Sequence, residues 1–273
     1  MKKSAIVCGK VLFGLLVVLT VVFPIYMIVS NSFKPTLLIR KMPPQFFFPL
    51  TLLHYVKILK QGNFLSYFGN SFIIAMSTTV ISIVLGSLAA YGLAIMKSNW
   101  GNRISTFLLF SKLVPTITIM IPLYIILDKV HLLGTYVGPI LAHVSVNAPF
   151  VAWLVLGFIR DIPGDLFEAG KLDGCTRMQV FWKIVFPLLS PAIGSALLLV
   201  MQYSWNELLF SMQYTNLHTY TLTVGVSRFV GAISVDWGQS SAAATIVMVP
   251  IIIAGFFLQK YLVSGLTAGA VKG

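Results

Sequence analysis

Acidic residues are scarce in this chain: seven Asp and Glu in 273 positions, against 19 Lys and Arg. Charged residues make up only 10%, where soluble domains carry about 25%, and 58% of the chain is hydrophobic. So little charge cannot clothe a water-soluble surface. Lipid is therefore the solvent for most of the chain, and its length reads as several membrane spans with short connections rather than as two soluble domains. Cysteine is sparse too. Cys8 and Cys175 are the only two, and neither has a C-x-x-C partner, which argues against a disulfide framework or a thiolate metal site. Both fall in segments expected on the cytoplasmic side, where thiols stay reduced.

Several catalytic signatures are also missing. No G-x-x-x-x-G-K-[ST] occurs: Gly9-Lys10 and Gly170-Lys171 lack both the earlier Gly and the following Ser or Thr. The chain thus has no P-loop to cradle a nucleotide phosphate. There is no H-E-x-x-H, G-x-S-x-G or G-x-G-D, so an intramembrane enzyme is disfavoured and no metal is expected. The formal net charge of +12 would suggest nucleic acid in a soluble protein. Here no basic stretch is interleaved with stacking aromatics, and the Lys and Arg lie mostly between apolar runs. Their place is explained by the positive-inside bias and by anionic lipid headgroups, not by nucleic acid.

What is present is six apolar runs, at about 11–30, 68–96, 104–127, 137–159, 188–210 and 240–262. Each can cross a hydrocarbon core that takes about 20 helical residues. None alternates as barrel strands do. The expected fold is all-α: a polytopic membrane protein, read as one transmembrane domain over 1–273. The first run follows a basic start but is too long for a signal-peptide core, and reads as an uncleaved anchor. With the N-terminus inside, eleven Lys and Arg fall on inner segments and seven on outer ones, with Lys112 inside the third run. Both termini are thus expected in the cytoplasm. Prolines at 115, 122, 149, 191 and 250 imply kinked helices. Gly86, Ala90 and Ala94 form a small-residue stripe that admits a close helix neighbour. The outer segment 31–67, with its paired prolines and aromatics, reads either as an amphipathic stretch on the membrane or as an ordinary loop.

Between the fourth and fifth runs lies the charged stretch FEAGKLDGCTRMQVFWKIVFPLL, Phe167–Leu189. Asp165 and Glu168 have capping-box spacing, and Thr176 and Gln179 repeat it. Gly174 offers a left-handed stop between them. The expectation is two short helices bent at Gly174, the second ending at Pro187, with Ala169 and Gly170 as a small face open to another protein. From these residues alone, a plain amphipathic connector on the membrane is equally consistent.

The spacing Glu168-Ala169-Gly170, three residues including Asp173, Gly174, nine residues, Ile184-x-Phe186-Pro187 resembles the EAA signature. That motif marks the permease subunits of binding-protein-dependent ABC importers. The departures are Gly170 where Ala is usual and Phe186 where Leu is usual. SWNELLF (Ser204–Phe210) and GLTAGAVKG (Gly265–Gly273) are similar to the maltose-type, carbohydrate-uptake branch. The resemblance covers nearly the whole chain. It implies six transmembrane helices with a cytoplasmic coupling helix pair over 160–187, in a bacterial cell membrane. It implies three partners: a second homologous permease subunit, a cytoplasmic ATPase dimer carrying the ATP and Mg, and an extracytoplasmic sugar-binding protein. This chain would hold no cofactor. The tail, 263–273, with Gly265, Leu266, Thr267, Gly269 and Lys272, would reach toward the ATPase pair.

The remaining candidates lie inside the runs. Lys112, near the cytoplasmic third of its run, is expected to snorkel. His143, with no carboxylate near it in sequence, reads as a hydrogen-bonded packing residue. Glu207 falls near the outer interface, either snorkelling beside Trp205 or acting at a gate. Ser195, Leu199, Gln202, Asn206, Leu209 and Gln213 recur at helical spacing and form a polar stripe. Uncharged amides and a hydroxyl match what sugar hydroxyls require. Gln202 and Asn206 are therefore expected to line the translocation path, with Glu207 adjoining. The competing function is an ATPase-independent secondary transporter or channel, which calls for ion-coupling charges near the midplane; the sequence offers few. A phosphorylated glycerol compound stays open beside a sugar as the substrate.

Overall fold

The computed structural model describes residues 2–60, 63–96, 100–229 and 235–268, with side chains described between 9 and 259. Among the described residues the regular structure is helical, with no β-strand. The helices are α1 (Lys2–Ser32), α2 (Thr36–Ile39), α3 (Leu53–Lys60), α4 (Phe64–Ala94), α5 (Trp100–Ser111), α6 (Thr116–Lys129), α7 (Val137–Arg160), α8 (Gly164–Leu172), α9 (Arg177–Val180), α10 (Phe186–Leu188), α11 (Ser190–Asn206), α12 (Leu209–Tyr214), α13 (Leu222–Ser227) and α14 (Trp237–Ala268). One turn of π-helix, Phe181–Val185, joins α9 to α10. Among the described residues, four helices are long and apolar enough to cross a membrane, and up to six spans result when each of two bent pairs counts as one.

The chain divides into two compact units, 1–65 with 225–250 and 66–224 with 251–273. In the first unit, α1 shows apolar side chains to its surroundings along nearly its whole length, Val11 to Tyr26, as a lipid-facing helix must. α3 is amphipathic, burying His54 and Ile58 and placing Lys57 and Lys60 at its C-terminal end. Those cations complement the helix dipole. The His54 ring lies directly against Gly238, leaving no room there for a Cβ.

The core of the second unit gathers Ile83, Ala90 and Tyr91 of α4, Val151 and Val155 of α7, and Ala192, Ala196 and Val200 of α11. Phe181 and Val185 of the π turn belong to the same cluster and are fully buried. The small stripe on α4 does what its spacing suggested. A Cβ at Gly86 would stand 2.7 Å from the Val151 Cβ and 3.0 Å from the Ala148 carbonyl oxygen, so α4 and α7 touch almost backbone to backbone.

Two expected spans prove to be broken. The third run bends by 94° between α5 and α6, with Pro115 preceding the first turn of α6. The fifth bends by 78° between α10 and α11, then stops again at Glu207. Proline lacks the N–H that a new helix start would leave unpaired, which favours breaks beside Pro115 and Pro191. Pro122, Pro149 and Pro250 lie within helices that continue through them.

Gly86→Val should be poorly tolerated. Overpacking of this kind costs about 1–3 kcal/mol, so the detergent-solubilised protein should unfold at a lower temperature than wild type. Gly92→Val, on the exposed side of the same helix with open space around it, should leave that temperature unchanged.

Candidate functional site

Two sites emerge, both within the second unit. The first is the element between α7 and α11. Pro163 sets the entry (φ −55°, ψ 133°), and its carbonyl receives the Leu166 N–H at 3.2 Å. The helix therefore starts at Gly164, one residue before the expected cap. Asp165 sits in the first turn, where its charge complements the dipole, and no Asp165–Glu168 capping box forms. The end is as the sequence implied. Gly174 has φ +76°, its N–H reaches the Lys171 carbonyl at 3.0 Å, and the Cys175 N–H reaches that of Gly170 at 3.0 Å. These two bonds make a Schellman stop. The second capping box is complete: the Gln179 N–H donates to Thr176 Oγ1 at 3.3 Å, and the Thr176 N–H donates to Gln179 Oε1 at 2.8 Å.

The second helix does not end at Pro187. It passes through the π turn and stops at Leu188. A proline at 187 would press on the Lys183 carbonyl in a regular α-helix. The π turn relieves this by shifting the Phe186 N–H onto the Phe181 carbonyl. Phe186 closes an aromatic group with Phe181 and Trp182, at 5.6 and 4.9 Å between centroids.

Gly170 is buried rather than presented to another protein. A Cβ there would stand 2.7 Å from Ile184 Cδ1. Its smallness lets α8 close on its own neighbour, and that is the task of Ile184. Glu168, Ala169, Asp173 and Gly174 are exposed, and so is Pro187. Leu172 is 89% exposed at the tip, with Met178 exposed nearby, an apolar point the sequence reading did not single out. Tyr91, at the end of α4, pins the element. Its hydroxyl donates to the Arg177 carbonyl at 3.0 Å, and its ring stacks on Phe167 and tilts against Phe181. Cys175 is a free thiol; the Cys8 side chain lies outside the described region.

The second site surrounds Glu207. Its carboxylate accepts from the Phe210 N–H at 2.8 Å and the Ser211 N–H at 3.0 Å, and so caps α12. The same group meets His143 Nε2 at 3.1 Å, while His143 Nδ1 pairs with Ser204 Oγ at 2.7 Å. Of the two readings of Glu207, snorkelling beside Trp205 or acting at a gate, the snorkelling one does not hold: the carboxylate is buried in protein, and Trp205 is buried edge-on to Phe68. The hydrogen-bonded His143 stands as expected, and the carboxylate it meets comes from 64 residues along the chain.

The expected polar stripe divides. Ser195 is buried, and its hydroxyl bonds back to the Pro191 carbonyl. Gln202 and Asn206 face an open cleft of about 380 Å³ together with Leu199, Tyr203 and Glu207, and Asn206 Nδ2 donates to the Gln202 carbonyl at 2.9 Å. Leu209 and Gln213 are exposed further on. Lys112 does not snorkel. It sits at the α5–α6 break, donates to Asn147 Oδ1 at 3.2 Å, and lies over the rings of Phe150 and Tyr203 at 4.9 and 4.7 Å. The break turns its stem inward, which a continuous third span would not have done. Of the tail residues, Gly265, Leu266 and Thr267 continue α14, their side chains outside the described region; Gly269 and Lys272 lie outside the described residues.

Removing the Glu207 carboxylate should loosen the α11–α12 junction. Glu207→Ala leaves two buried N–H groups and His143 short of an acceptor, at a cost of about 3 kcal/mol. Glu207→Gln, which keeps one acceptor oxygen, should lie between it and wild type in thermal unfolding of the solubilised protein.

Comparison with known proteins places these features in context. The family described as binding-protein-dependent transport system inner membrane component matches residues 82–268. The trehalose/maltose transport system permease protein of Thermococcus litoralis is 32% identical over 100% of this chain and 98% of its own. The trehalose transport system permease protein of Mycobacterium tuberculosis is 34% identical over 94% of this chain and 95% of its own. A chain of a bacterial ABC transporter involved in import of the acidic polysaccharide alginate shares the fold, with a TM-score of 0.80 over 93% of this chain and 95% of that one, at 20% identity.

Proposed function

Because the chain belongs to the family of binding-protein-dependent transport system inner membrane components, we propose that it forms half of the translocation path of a sugar ABC importer and couples that path to a separate ATPase. A second homologous permease subunit supplies the other half. A sugar-binding protein delivers the substrate from outside, and a cytoplasmic ATPase dimer binds ATP and Mg. The family is one of permease subunits rather than enzymes, and this chain brings no P-loop of its own. It resides in a bacterial cell membrane as a multi-pass protein with both termini cytoplasmic.

The observation that carries the coupling role is the build of the element at 164–188. It is capped at the start of α9, stopped at Gly174, and continuous with the bundle core through Phe181 and Val185. A lever needs that continuity, because a push on its tip must move the spans rather than bend a loop. Leu172 at the tip, with Glu168 and Asp173 around it, gives a docking point for the ATPase: an apolar centre with a polar rim. The sugar assignment draws on the relatives, whose names give trehalose and maltose as cargo, and on the cleft. Gln202 and Asn206 offer donors and acceptors to hydroxyls without carrying charge. A di- or oligosaccharide is the cargo best matched by both.

Two experiments test this reading. Gly174→Pro, which cannot adopt φ +76°, and Leu172→Asp, which puts a charge at the tip, should each leave the protein inserted in the membrane but abolish substrate-stimulated ATP hydrolysis by the co-purified assembly. Full stimulation in both variants would refute the coupling role. In a background lacking Cys8 and Cys175, cysteine at Gln202 and at Asn206 should react with a soluble thiol reagent in at least one state of the ATP cycle. No labelling in any state would show that this face packs against protein.

A further inference from the structure

Lys112 is placed where a membrane protein seldom keeps a lysine. It follows the last residue of α5 within an apolar run, at a 94° bend that aims it into the second unit. An ammonium carries three donors. Asn147 Oδ1 takes one at 3.2 Å, and the faces of Phe150 and Tyr203 stand at 4.9 and 4.7 Å. Among the described residues no Asp or Glu forms an ion pair with it; the nearby Glu207 carboxylate is hydrogen-bonded to His143 at 3.1 Å. Cations held within spans usually meet a counter-charge, because lone burial costs several kcal/mol.

A proton relay does not account for the arrangement. Asn147 cannot pass a proton on, and its Nδ2 donates to the His143 carbonyl at 2.7 Å, so the chain of bonds ends on backbone. The Tyr203 ring does connect Lys112 to something open. It carries the ammonium and also lines the cleft with Leu199, Gln202, Asn206 and Glu207, whose carboxylate is taken up by His143 and by the Phe210 and Ser211 N–H groups. Ammonium, aromatic ring and amides thus lie side by side. Amides alone would serve a neutral sugar. A cation beside them adds recognition of negative charge, and the aromatic faces hold that cation while no anion is present.

We propose that the cleft beside Tyr203 binds a carbohydrate bearing an anionic group, a carboxylate or a phosphate, with Lys112 as the residue that contacts the anion. This rests on the importer reading above and narrows its cargo.

The test is equilibrium binding to the detergent-solubilised complex purified through this chain, with radiolabelled trigalacturonate, glucose 1-phosphate and maltotriose as probes. At least one of the two anionic probes should bind the wild type roughly tenfold or more tightly than maltotriose, the worth of one charge-assisted hydrogen bond. Lys112→Met should remove that preference by weakening the anionic probes at least tenfold relative to maltotriose, while Lys112→Arg should retain it. The size-exclusion profile and the ATP hydrolysis of each variant check its assembly. Equal wild-type affinity for all three probes, absence of binding by any of them, or a preference that survives in Lys112→Met would each overturn the proposal. Inorganic phosphate competing as well as glucose 1-phosphate would do the same, since the site would then read a free anion and not a sugar. Failure of the importer reading shows separately, as loss of any substrate-stimulated ATP hydrolysis in the wild-type assembly.

Discussion

Inside hydrocarbon, a helix can be interrupted only where something other than lipid takes up the freed backbone groups. This requirement governs the whole second unit, because the chain breaks its helices at each place that matters. At the α5–α6 and α10–α11 breaks the new helix begins beside a proline, Pro115 or Pro191, so that one donor never has to be paired. At the α11–α12 break there is no such proline. There Glu207 accepts two N–H groups, and His143 holds the carboxylate in place. Glu207, read from sequence as either a snorkelling or a gating acid, secures this turn, and the cleft it lines depends on that turn.

The same economy shapes the element at 164–188. A loop of this length could have been a flexible connector. Instead the Schellman stop at Gly174 and the reciprocal Thr176–Gln179 cap satisfy most of its free backbone ends internally. Gly170 lets α8 sit directly on Ile184, and Tyr91 bolts the assembly to the end of α4. The π turn has two consequences. It accommodates Pro187, and it rotates Phe181 and Val185 into the core cluster shared by α4, α7 and α11. Motion at the Leu172 tip is thereby tied to three membrane helices at once, which is the property a coupling device between an ATPase and a transport path requires.

The polar face of α11 shows how polar groups are made tolerable in such a protein. Of the stripe Ser195–Gln213, the hydroxyl that lies deep in the unit is satisfied by its own helix, at the Pro191 carbonyl. The amides Gln202 and Asn206 stand at the open cleft. Lys112 and Asn147 extend this polar lining across the rings of Phe150 and Tyr203. Amide, aromatic ring and ammonium thus lie side by side, next to the Glu207 carboxylate.

Composition and periodicity determined a good deal without coordinates. Scarcity of charge and six apolar runs dictate an all-helical membrane protein, because lipid leaves the backbone no other partner than itself. The Gly86 stripe, the left-handed Gly174 and the Thr176 cap were equally legible, since each depends on residues within a turn or two of one another. What tertiary structure alone decided are the contacts that join distant segments. His143 meets Glu207, Lys112 turns inward onto Asn147 and Tyr203, and Gly170 is filled by Ile184 instead of facing a partner. Hydropathy could not reveal these, because a run of apolar residues reads the same whether its helix is continuous or broken, and only the break decides which way a half-buried charge points.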